Sequence, residues 1–240
     1  MEIEINNFTK QEIRKNISNK VSCFVKNCDY KSASIKAQKN FLQSSIFIEA
    51  DVILCYIPLK NEIDTSLIIS QSLSCNKIVC IPKVLDKDSS LERKINFYIL
   101  QNNDIALQTS VGSYGILEPV ETLEIFDVKK FVSNGVAKNT EKDTDKKLEN
   151  NIKKKIVCIT PLVAVDKKGN RLGKGKGYYD NFFSDKNFRD DNFFDKSFIN
   201  KDFITKVGFA YACQVVEQIP EESHDIKMDY VITEEGVVRV

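Results

Sequence analysis

Residues 171–180, RLGKGKGYYD, combine residue types and a spacing that suit the binding of phosphate groups. Three glycines at alternate positions interleave with three cations, namely Gly173, Gly175, Gly177, Arg171, Lys174 and Lys176. Glycine lets the backbone turn sharply and approach a ligand closely, and successive backbone N–H groups in such a loop form a concave anion site. Lysine and arginine supply positive charge to phosphate oxygens. A helix that begins near Tyr178 would add free N–H groups and a favourable dipole.

This glycine-rich loop matches neither of the two common nucleotide-binding patterns. It is not G-x-x-x-x-G-K-[ST], and it has G-x-G-x-G where the dinucleotide fingerprint has G-x-G-x-x-G. The alternative is a solvated basic turn, but such turns rarely combine three glycines, three cations and a Tyr-Tyr-Asp end. The prediction of a phosphate-binding loop therefore rests on the chemistry of its glycines, backbone N–H groups and cations, and not on a match to a standard motif.

Acidic residues near this loop and near the carboxyl terminus are candidate metal ligands. Asp180 falls in the first turn of the predicted helix, where it would either stabilise the helix dipole or hold Mg²⁺ beside a phosphate. Asp225 and Asp229 flank a predicted strand start and serve either a metal or the structure. His224, the sole histidine, adjoins Asp225, but adjacent side chains seldom point at each other, which argues against a catalytic dyad.

An amphipathic helix is predicted near the amino terminus. Thr9 and Glu12 form a capping-box pattern, and an apolar stripe follows at helical spacing: Ile13, Ile17, Val21, Phe24 and Cys28. At about 100° per residue, Lys10 and Arg14 fall on the inward face of this helix. We expect both to reach toward a bound anion, and the alternative is that they snorkel at the edge of the stripe.

Apolar runs of strand length alternate with helical segments through the rest of the chain. Strands are predicted at 51–58, 77–82, 95–100, 155–160, 207–212, 229–233 and 237–240. Helices are predicted at 34–48 and through SLIISQSL, the latter capped by Asp64. This alternation predicts an α/β fold, a single three-layer α/β/α domain with a largely parallel central sheet and a smaller hairpin or edge region.

The predicted strand at 51–58 runs into a polar segment that contains Glu62. Ligands of open α/β sheets bind at the carboxyl ends of the strands. Glu62 is therefore a candidate substrate contact, and the alternative is an exposed acid in a loop.

Composition narrows the class of protein. The 240 residues carry a formal net charge of +1, which argues against a dedicated nucleic-acid binder. No apolar run approaches the ~18 residues that span a membrane, and the acidic start MEIEINNFTK is unlike a signal peptide. Segments 138–154 and 185–203 are polar or compositionally biased and are predicted to be surface insertions in one domain covering 1–240.

Cysteine usage predicts the compartment. None of the seven cysteines forms C-x-x-C, which argues against a zinc site. Most stand among aliphatic residues, so we expect buried, reduced thiols in a cytoplasmic protein.

Taken in order, these segments resemble the 5-formyltetrahydrofolate cyclo-ligase family across nearly the whole chain. Lys10 and Arg14 in KQEIR are similar to the family's K-x-x-L-R opening, and Glu62 stands in a similar strand-to-helix segment, YIPLKNEIDT. Glu118 and Pro119 match a glycine–hydrophobic–E-P element, and NRLGKGKGYYD closely matches the family's phosphate loop. The carboxyl-terminal signature is represented by Gln214, Pro220, His224, Asp225 and Asp229.

One element departs from the family pattern. The family usually has P-G-x-x-F-D before the loop, whereas this chain has PLVAVD, with Leu162 in place of glycine and Val165 in place of phenylalanine. We expect these departures to affect the local backbone and not the phosphate loop.

The resemblance implies a ligase that uses ATP and Mg²⁺ to convert 5-formyltetrahydrofolate into 5,10-methenyltetrahydrofolate, releasing ADP and phosphate. The formyl oxygen would be phosphorylated first, N10 would attack the activated carbon, and phosphate would leave. Phosphoryl transfer mainly needs positioning and charge neutralisation, which agrees with the lack of a recognisable nucleophilic triad.

The resemblance also implies a role for each site residue. The implied ATP-binding residues are Lys10, Arg14, Arg171, Leu172, Gly173, Lys174, Gly175, Lys176, Gly177, Tyr178 and Tyr179. The implied substrate-binding residues are Tyr56, Ile57, Glu62, Glu118, Pro119 and Tyr179. Lys174 and Tyr179 are implied to be catalytic, and Asp180 and Asp225 to hold Mg²⁺.

The expected partners are ATP and 5-formyltetrahydrofolate, with or without a polyglutamate tail. We expect a cytoplasmic monomer that binds neither nucleic acid nor membrane. Two alternatives stay open, namely a non-catalytic nucleotide or folate binder and another ATP-dependent enzyme on a related scaffold, because fold alone does not fix function.

Overall fold

The computed structural model describes residues 8–85, 94–112, 115–128, 130–131, 154–184 and 204–240. The predicted insertion at 185–203 lies outside these residues, and only Lys154 of the predicted insertion at 138–154 lies within them. No helix within these ranges combines the length and the apolar composition needed to cross a membrane.

The described residues form strands and helices that are interspersed along the chain. The strands are β1 (Val52–Leu54), β2 (Ile78–Leu85), β3 (Lys94–Ile99), β4 (Thr109–Val111), β5 (Leu117–Pro119), β6 (Ile156–Pro161), β7 (Ala164–Asp166), β8 (Arg171–Leu172), β9 (Ile204–Phe209), β10 (Val215–Val216), β11 (Tyr230–Thr233) and β12 (Gly236–Arg239). The helices are α1 (Lys10–Asn27), α2 (Tyr30–Leu42), α3 (Ser45–Glu49), α4 (Ser66–Ser74), α5 (Ile105–Gln108) and α6 (Tyr178–Ser184).

A central sheet has the strand order β12-β11-β9-β6-β1-β2-β3. Strands β11, β9, β6, β1 and β2 run parallel, while β12 and β3 pair antiparallel at the two edges. Two smaller sheets have the orders β10-β7-β8 and β4-β5. The prediction of an α/β fold with a largely parallel sheet is therefore confirmed.

Alternation along the strands divides the core between two layers. Ile53 of β1 joins a cluster that contains Ile17 of α1 and Phe41 of α2. Its neighbours Val52 and Leu54 join the opposite cluster, which the aromatic residues of α6 cover. Burial on both faces explains why the parallel strands are continuous apolar runs and not alternating ones.

Helix α1 begins as its capping box predicts. Thr9 accepts from the backbone N–H of Glu12, and the Glu12 carboxylate accepts from the Thr9 backbone N–H. Ile13, Ile17 and Val21 of the predicted stripe are buried. The prediction is wrong at Cys28, which is exposed and ends the helix.

The prediction of one helix over 34–48 is wrong, because two helices, α2 and α3, cover this part of the chain. Ser44 separates them: its hydroxyl accepts from the Phe47 N–H at 3.3 Å and donates to the Phe41 carbonyl at 2.6 Å. One serine thus satisfies backbone groups at the end of one helix and the start of the next.

Further boundaries also differ from those predicted, and the strand predicted at 207–212 is Ile204–Phe209. The strand predicted at 51–58 is only Val52–Leu54. Helix α4 is capped by Thr65 and not by Asp64, although the Asp64 carboxylate still accepts from the Ser66 N–H at 3.0 Å. The Thr65 hydroxyl donates instead to the Tyr56 carbonyl at 2.8 Å, which ties the start of α4 to the chain leaving β1.

The cysteines differ in burial, and Cys213 is half-buried. Cys55, Cys80 and Cys158 are buried as predicted, and burial raises the pKa of Cys158 to about 12. The prediction of burial is wrong for the other cysteines that lie on the surface, namely Cys23, Cys28 and Cys75.

Candidate active site

The candidate site lies at the carboxyl ends of β1 and β6, where ligands of open α/β sheets bind. The chain leaving β1 passes through Tyr56 and Ile57 to Glu62. The chain leaving β6 forms the β7–β8 hairpin, then the glycine-rich loop, and then α6. Two of the segments selected from the sequence therefore leave adjacent parallel strands.

The glycine-rich loop has the backbone that its glycines predict. Gly175 and Gly177 have φ of +87° and +72°, in the left-handed region that glycine adopts without strain. Lys174, Gly175 and Lys176 are exposed, whereas Leu172 on the preceding strand is buried. The predicted helix start at Tyr178 is confirmed, so the loop leads directly into α6.

Helix α1 contacts this loop through Arg14. Its Nε donates to the Gly173 carbonyl at 2.9 Å, and a Cβ on Gly175 would lie 3.6 Å from the Arg14 guanidinium carbon. Arg14 is thus held beneath the loop, on the inward side of α1 as its spacing predicts.

Lys10 reaches a different part of the site. Its Nζ donates to Asp225 at 2.6 Å and lies 3.1 Å from Glu222. Burial alone would lower the pKa of Lys10, but these two carboxylates raise it overall. Burial likewise opposes the charge on Asp225, yet hydrogen bonds from Lys10 and from the Glu222 backbone lower its pKa. Both members of the pair are therefore charged at neutral pH.

Two more predicted cations pair with predicted carboxylates. Lys174 Nζ lies 2.7 Å from Glu62 Oε1, and Arg171 Nη2 donates to Asp180 Oδ1 at 2.7 Å. The first contact brings the glycine-rich loop against the segment that leaves β1. Sequence spacing predicts neither pairing.

Glu62 is not the exposed loop acid that the sequence left open. Its side chain is mostly buried, and its Oε2 accepts from the Leu59 N–H at 2.8 Å while Oε1 faces Lys174. Tyr56 supports this turn, because its buried hydroxyl donates to the Ile63 carbonyl at 2.9 Å. Ile57 packs against the core cluster on this side of the sheet. The roles of these residues in substrate binding remain predictions.

Tyr179 lies between the loop and the core. Its ring centroid is 6.5 Å from that of Phe97, and the Arg171 guanidinium lies 5.8 Å from the Tyr179 ring. Burial raises the pKa of Tyr179 well above 10.0, so its hydroxyl is neutral and can donate a hydrogen bond. Tyr178 packs with it against the same cluster.

Arg171 has a buried N–H donor that is not used in a hydrogen bond with any described residue. Its side chain is almost fully buried, and its Nε has no hydrogen-bond partner among the described residues. A buried donor without a partner is costly, so a nearby anion would satisfy it.

Glu118 and Pro119 lie on β5, in the two-stranded sheet beside β2. Glu118 is buried, and its carboxylate fills the space where a Cβ of Gly112 would stand. They belong to a different sheet from β1 and the loop strand β8. Their contact with substrate remains a prediction.

The two predicted metal ligands occupy different surroundings. Asp225 lies in a cluster with Glu222 and His224, whose ligand atoms are within 4.8 Å of one another. Asp180 is not a member of that cluster and faces Arg171. Carboxylate oxygens suit Mg²⁺, which commonly binds one or two carboxylates together with substrate phosphates. Each carboxylate is therefore a donor of the kind that this metal binds, and each now faces a different cation.

The sequence does not predict several residues that contribute to the candidate site. Glu222 contacts Lys10, and the acid-rich run EESHD was the available signal. Asp166 and Asn170 form a buried network whose bonds to Ile219 and Glu221 the sequence does not reveal. Of the two uses left open for Asp229, the structure shows the structural one, since its carboxylate accepts from the Lys206 N–H at 2.7 Å.

The departures from the family pattern are packed without strain. Leu162 and Val165 are buried in a cluster with Ala210 and Val231. Within the described ranges, the non-glycine residues with positive φ are Asn61 and Asn76, so Leu162 keeps an ordinary backbone. The Leu162 carbonyl accepts from the Gln214 side chain at 3.0 Å.

A comparison with protein-family models matches residues 6–234 to the 5-formyltetrahydrofolate cyclo-ligase family. The chain is 28% identical over 212 residues to the mitochondrial 5-formyltetrahydrofolate cyclo-ligase of Arabidopsis thaliana, a match that covers 85% of this chain and 66% of that protein. It is 46% identical over 72 residues to the Haemophilus influenzae 5-formyltetrahydrofolate cyclo-ligase, covering 30% of this chain and 32% of that protein. The chain thus spans just under two thirds of the first relative and about a third of the second.

Two solved structures share the fold. The NMR structure of 5,10-methenyltetrahydrofolate synthetase from Aquifex aeolicus has a TM-score of 0.63 at 27% identity, covering 96% of this chain and 92% of that one. The 5,10-methenyltetrahydrofolate synthetase from Mycoplasma pneumoniae has a TM-score of 0.57 at 18% identity, covering 95% and 99%. The second likeness shows the fold alone.

Proposed function

The chain belongs to the 5-formyltetrahydrofolate cyclo-ligase family, and we propose that it converts 5-formyltetrahydrofolate into 5,10-methenyltetrahydrofolate at the expense of ATP. The observation that carries the proposal is the contact between Lys174 and Glu62 at 2.7 Å. It joins the loop suited to phosphates to the strand end suited to a second substrate. An enzyme that transfers a phosphoryl group between two bound molecules requires this adjacency.

The proposed chemistry has two steps. The formyl oxygen attacks the γ-phosphorus of ATP, and the bond to ADP breaks. N10 of the folate then attacks the activated formyl carbon, a C–N bond forms, and phosphate leaves with the former formyl oxygen while N10 loses its proton to solvent. The first step exchanges a poor leaving group for a good one, so the protein chiefly positions the reactants and neutralises charge.

The cations of the site are placed for that task. Lys174 at the exposed loop tip and the unpartnered Nε of Arg171 would contact phosphate oxygens. Arg14 holds the loop from below through Gly173. The high pKa of Tyr179 makes it a hydrogen-bond donor near the reacting groups and excludes it as a base at neutral pH.

Ligand binding would exchange partners among the existing ion pairs. Without ligands, Lys10 and Arg171 face Asp225 and Asp180. The bound phosphates would draw the cations, and the two carboxylates would then hold Mg²⁺. The metal would contribute charge neutralisation on the phosphate oxygens. We propose that Asp180 and Asp225 are the ligands of Mg²⁺.

The proposed partners are ATP and 5-formyltetrahydrofolate, with or without a polyglutamate tail. We further propose a cytoplasmic monomer. The reduced state of the buried cysteines supports an intracellular compartment.

The test is an absorbance assay for 5,10-methenyltetrahydrofolate with purified protein, 5-formyltetrahydrofolate and Mg²⁺, with and without ATP. We expect product only when ATP is present, together with stoichiometric ADP. Folded protein that binds ATP but forms no product would contradict the proposal and favour a non-catalytic binder. Turnover of a different acyl or sugar-phosphate substrate, with no folate activity, would favour another enzyme on this scaffold.

A further inference from the structure

Asp166, at the end of β7, is the centre of a buried hydrogen-bond network. Its Oδ1 accepts from the backbone N–H groups of Lys168 and Asn170, both at 2.9 Å. Its Oδ2 accepts from the Asn170 side-chain amide at 2.9 Å and from the Ile219 backbone N–H at 3.0 Å. Asp166 is 1% exposed, and these four donors are the hydrogen-bond partners of its carboxylate among the described residues.

The two oxygens of Asp166 bind two different parts of the chain. Oδ1 closes the turn between β7 and β8, which ends at Asn170, immediately before Arg171. Oδ2 reaches Ile219, the first residue of a stretch that we call the 219–225 segment. The Asn170 amide strengthens the same link, because it also donates to Glu221 at 2.8 Å.

The 219–225 segment carries the acidic partners of Lys10. It is a compact turn in which the Asp225 N–H donates to the Glu222 carbonyl at 3.0 Å and the Glu222 N–H donates to the Asp225 carboxylate at 2.8 Å. The start of this turn is fixed by Asp166, and its end is fixed by Lys10. One carboxylate therefore connects the strand that carries Arg171 to the turn that carries Asp225.

We propose that Asp166 is a positioning residue, which sets the 219–225 segment, and with it Asp225, relative to the Arg171 strand. Asp166 touches neither substrate nor metal in this proposal and acts only through Asn170 and Ile219. The inference rests on the proposed function for its kinetic consequence, since Asp225 is placed there as a holder of Mg²⁺. Its structural content, the link between the two segments, is independent of the reaction.

A carboxylate is needed at this position because four N–H donors converge on it. Asp166→Asn can keep the two bonds of Oδ1, which close the turn, but then presents an amide NH₂ to the Asn170 amide and the Ile219 N–H. The Ile219 N–H would then face another donor and lose its acceptor, so the bond that joins the turn to the 219–225 segment is lost while the turn survives. A separate bond from the Met228 N–H to the Gly169 carbonyl at 2.9 Å keeps the neighbouring chain attached. The substitution should therefore loosen the segment without unfolding it.

The sole histidine gives a direct measurement. His224 lies inside the 219–225 segment, so the imidazole of the untagged protein contributes a single set of ¹H–¹³C resonances. We expect Asp166→Asn to shift and sharpen them, as an ordered turn becomes mobile. Asp229→Asn is the matched control, because Asp229 also accepts a backbone N–H, that of Lys206, but has, among the described residues, no hydrogen bond to the 219–225 segment. It should leave the His224 resonances unchanged.

Steady-state kinetics supply the second readout. Asp166→Asn should raise the Mg²⁺ concentration for half-maximal activity about tenfold, the effect of losing hydrogen bonds to one charged acceptor. The KM for 5-formyltetrahydrofolate, whose proposed contacts lie outside the 219–225 segment, should stay within about twofold. Asn170→Ala, which removes only the side-chain part of the link, should change both readouts in the same direction by less.

Unchanged His224 resonances in both Asp166→Asn and Asn170→Ala would overturn the proposal. So would equal increases in the Mg²⁺ requirement and the folate KM, or a loss of activity matched only by a loss of folded protein. If the wild-type protein forms no methenyl product, the proposed function fails. The His224 comparison between Asp166→Asn and Asp229→Asn then decides the structural link by itself.

Discussion

The base and the tip of the glycine-rich loop hold ion pairs of equal length in very different surroundings. At the base, Arg171 and Asp180 are 2.7 Å apart with side chains 4% and 22% exposed. At the tip, Lys174 and Glu62 are also 2.7 Å apart, but the lysine is 53% exposed. A buried charge depends strongly on its partner, whereas an exposed pair gains little in water. The base pair should therefore contribute more to folding stability than the tip pair.

The largest effect on stability is expected at the base. Arg171→Ala would leave Asp180 without its cation and remove the guanidinium from the Tyr179 ring, which should lower the free energy of unfolding by about 3 kcal/mol. Chemical denaturation measures this directly. Arg171→Lys is the control, since it keeps the charge but loses the planar fork, and it should fall in between. If Arg171→Ala unfolded at the same denaturant concentration as the wild type, the base pair would contribute no more to stability than the tip pair.

The Lys10–Asp225 pair is intermediate in burial and predicts a pH dependence. The folded pKa of Asp225 is below 3.8, so its contribution is complete above that pH and is lost as the pH falls through the folded value. The folded pKa of Lys10 is above 10.5, so its contribution is lost only as the pH rises through that value. We expect the melting temperature of the wild type to fall below pH 4 more steeply than that of Asp225→Asn. Parallel acid profiles would show that the pair contributes nothing.

At the tip, we expect a substitution to weaken ligand binding much more than it lowers the free energy of unfolding. Lys174→Ala should change the free energy of unfolding by no more than about 0.5 kcal/mol. The same variant should raise the KM for ATP about 10- to 100-fold, because a charged partner of phosphate is lost, and should spare the KM for folate. Lys167→Ala removes another exposed lysine in the β7–β8 turn and serves as the control. Equal losses for both substrates would contradict the division of roles.

The smallest effect is expected for the most exposed pair of the site. His224 Nε2 lies 3.3 Å from Glu222, and both side chains face solvent. His224→Ala should leave the melting temperature unchanged and kcat within about twofold of wild type. A thousandfold loss of kcat would give this histidine a catalytic role that its geometry does not indicate.

Local and long-range features differ in how far the sequence predicts them. The capping box at Thr9, the helix start at Tyr178 and the buried strands follow from short patterns, and all are present. The break at Ser44 was missed because apolar periodicity continues across it while one hydroxyl redirects the backbone.

For the candidate site, the sequence predicts which residues take part but not which of them contact each other. Helical periodicity indicates that Lys10 and Arg14 face inward, but not that they contact Asp225 and Gly173. The burial of Glu62 and the network around Asp166 depend on segments that approach only in the folded chain. Residue types therefore predict which groups take part, and tertiary structure decides how they are paired.

The contact between Lys10 and Asp225 joins residues 215 positions apart. Closing so long a loop is slow compared with forming helices and neighbouring strand pairs, because its entropy is lost before the contact is gained. During synthesis, Lys10 can contact Asp225 only after almost the entire chain has left the ribosome. This part of the candidate site is therefore among the last parts of the molecule to assemble, and a chain that stops short of Asp225 lacks that pairing as well as strands β11 and β12.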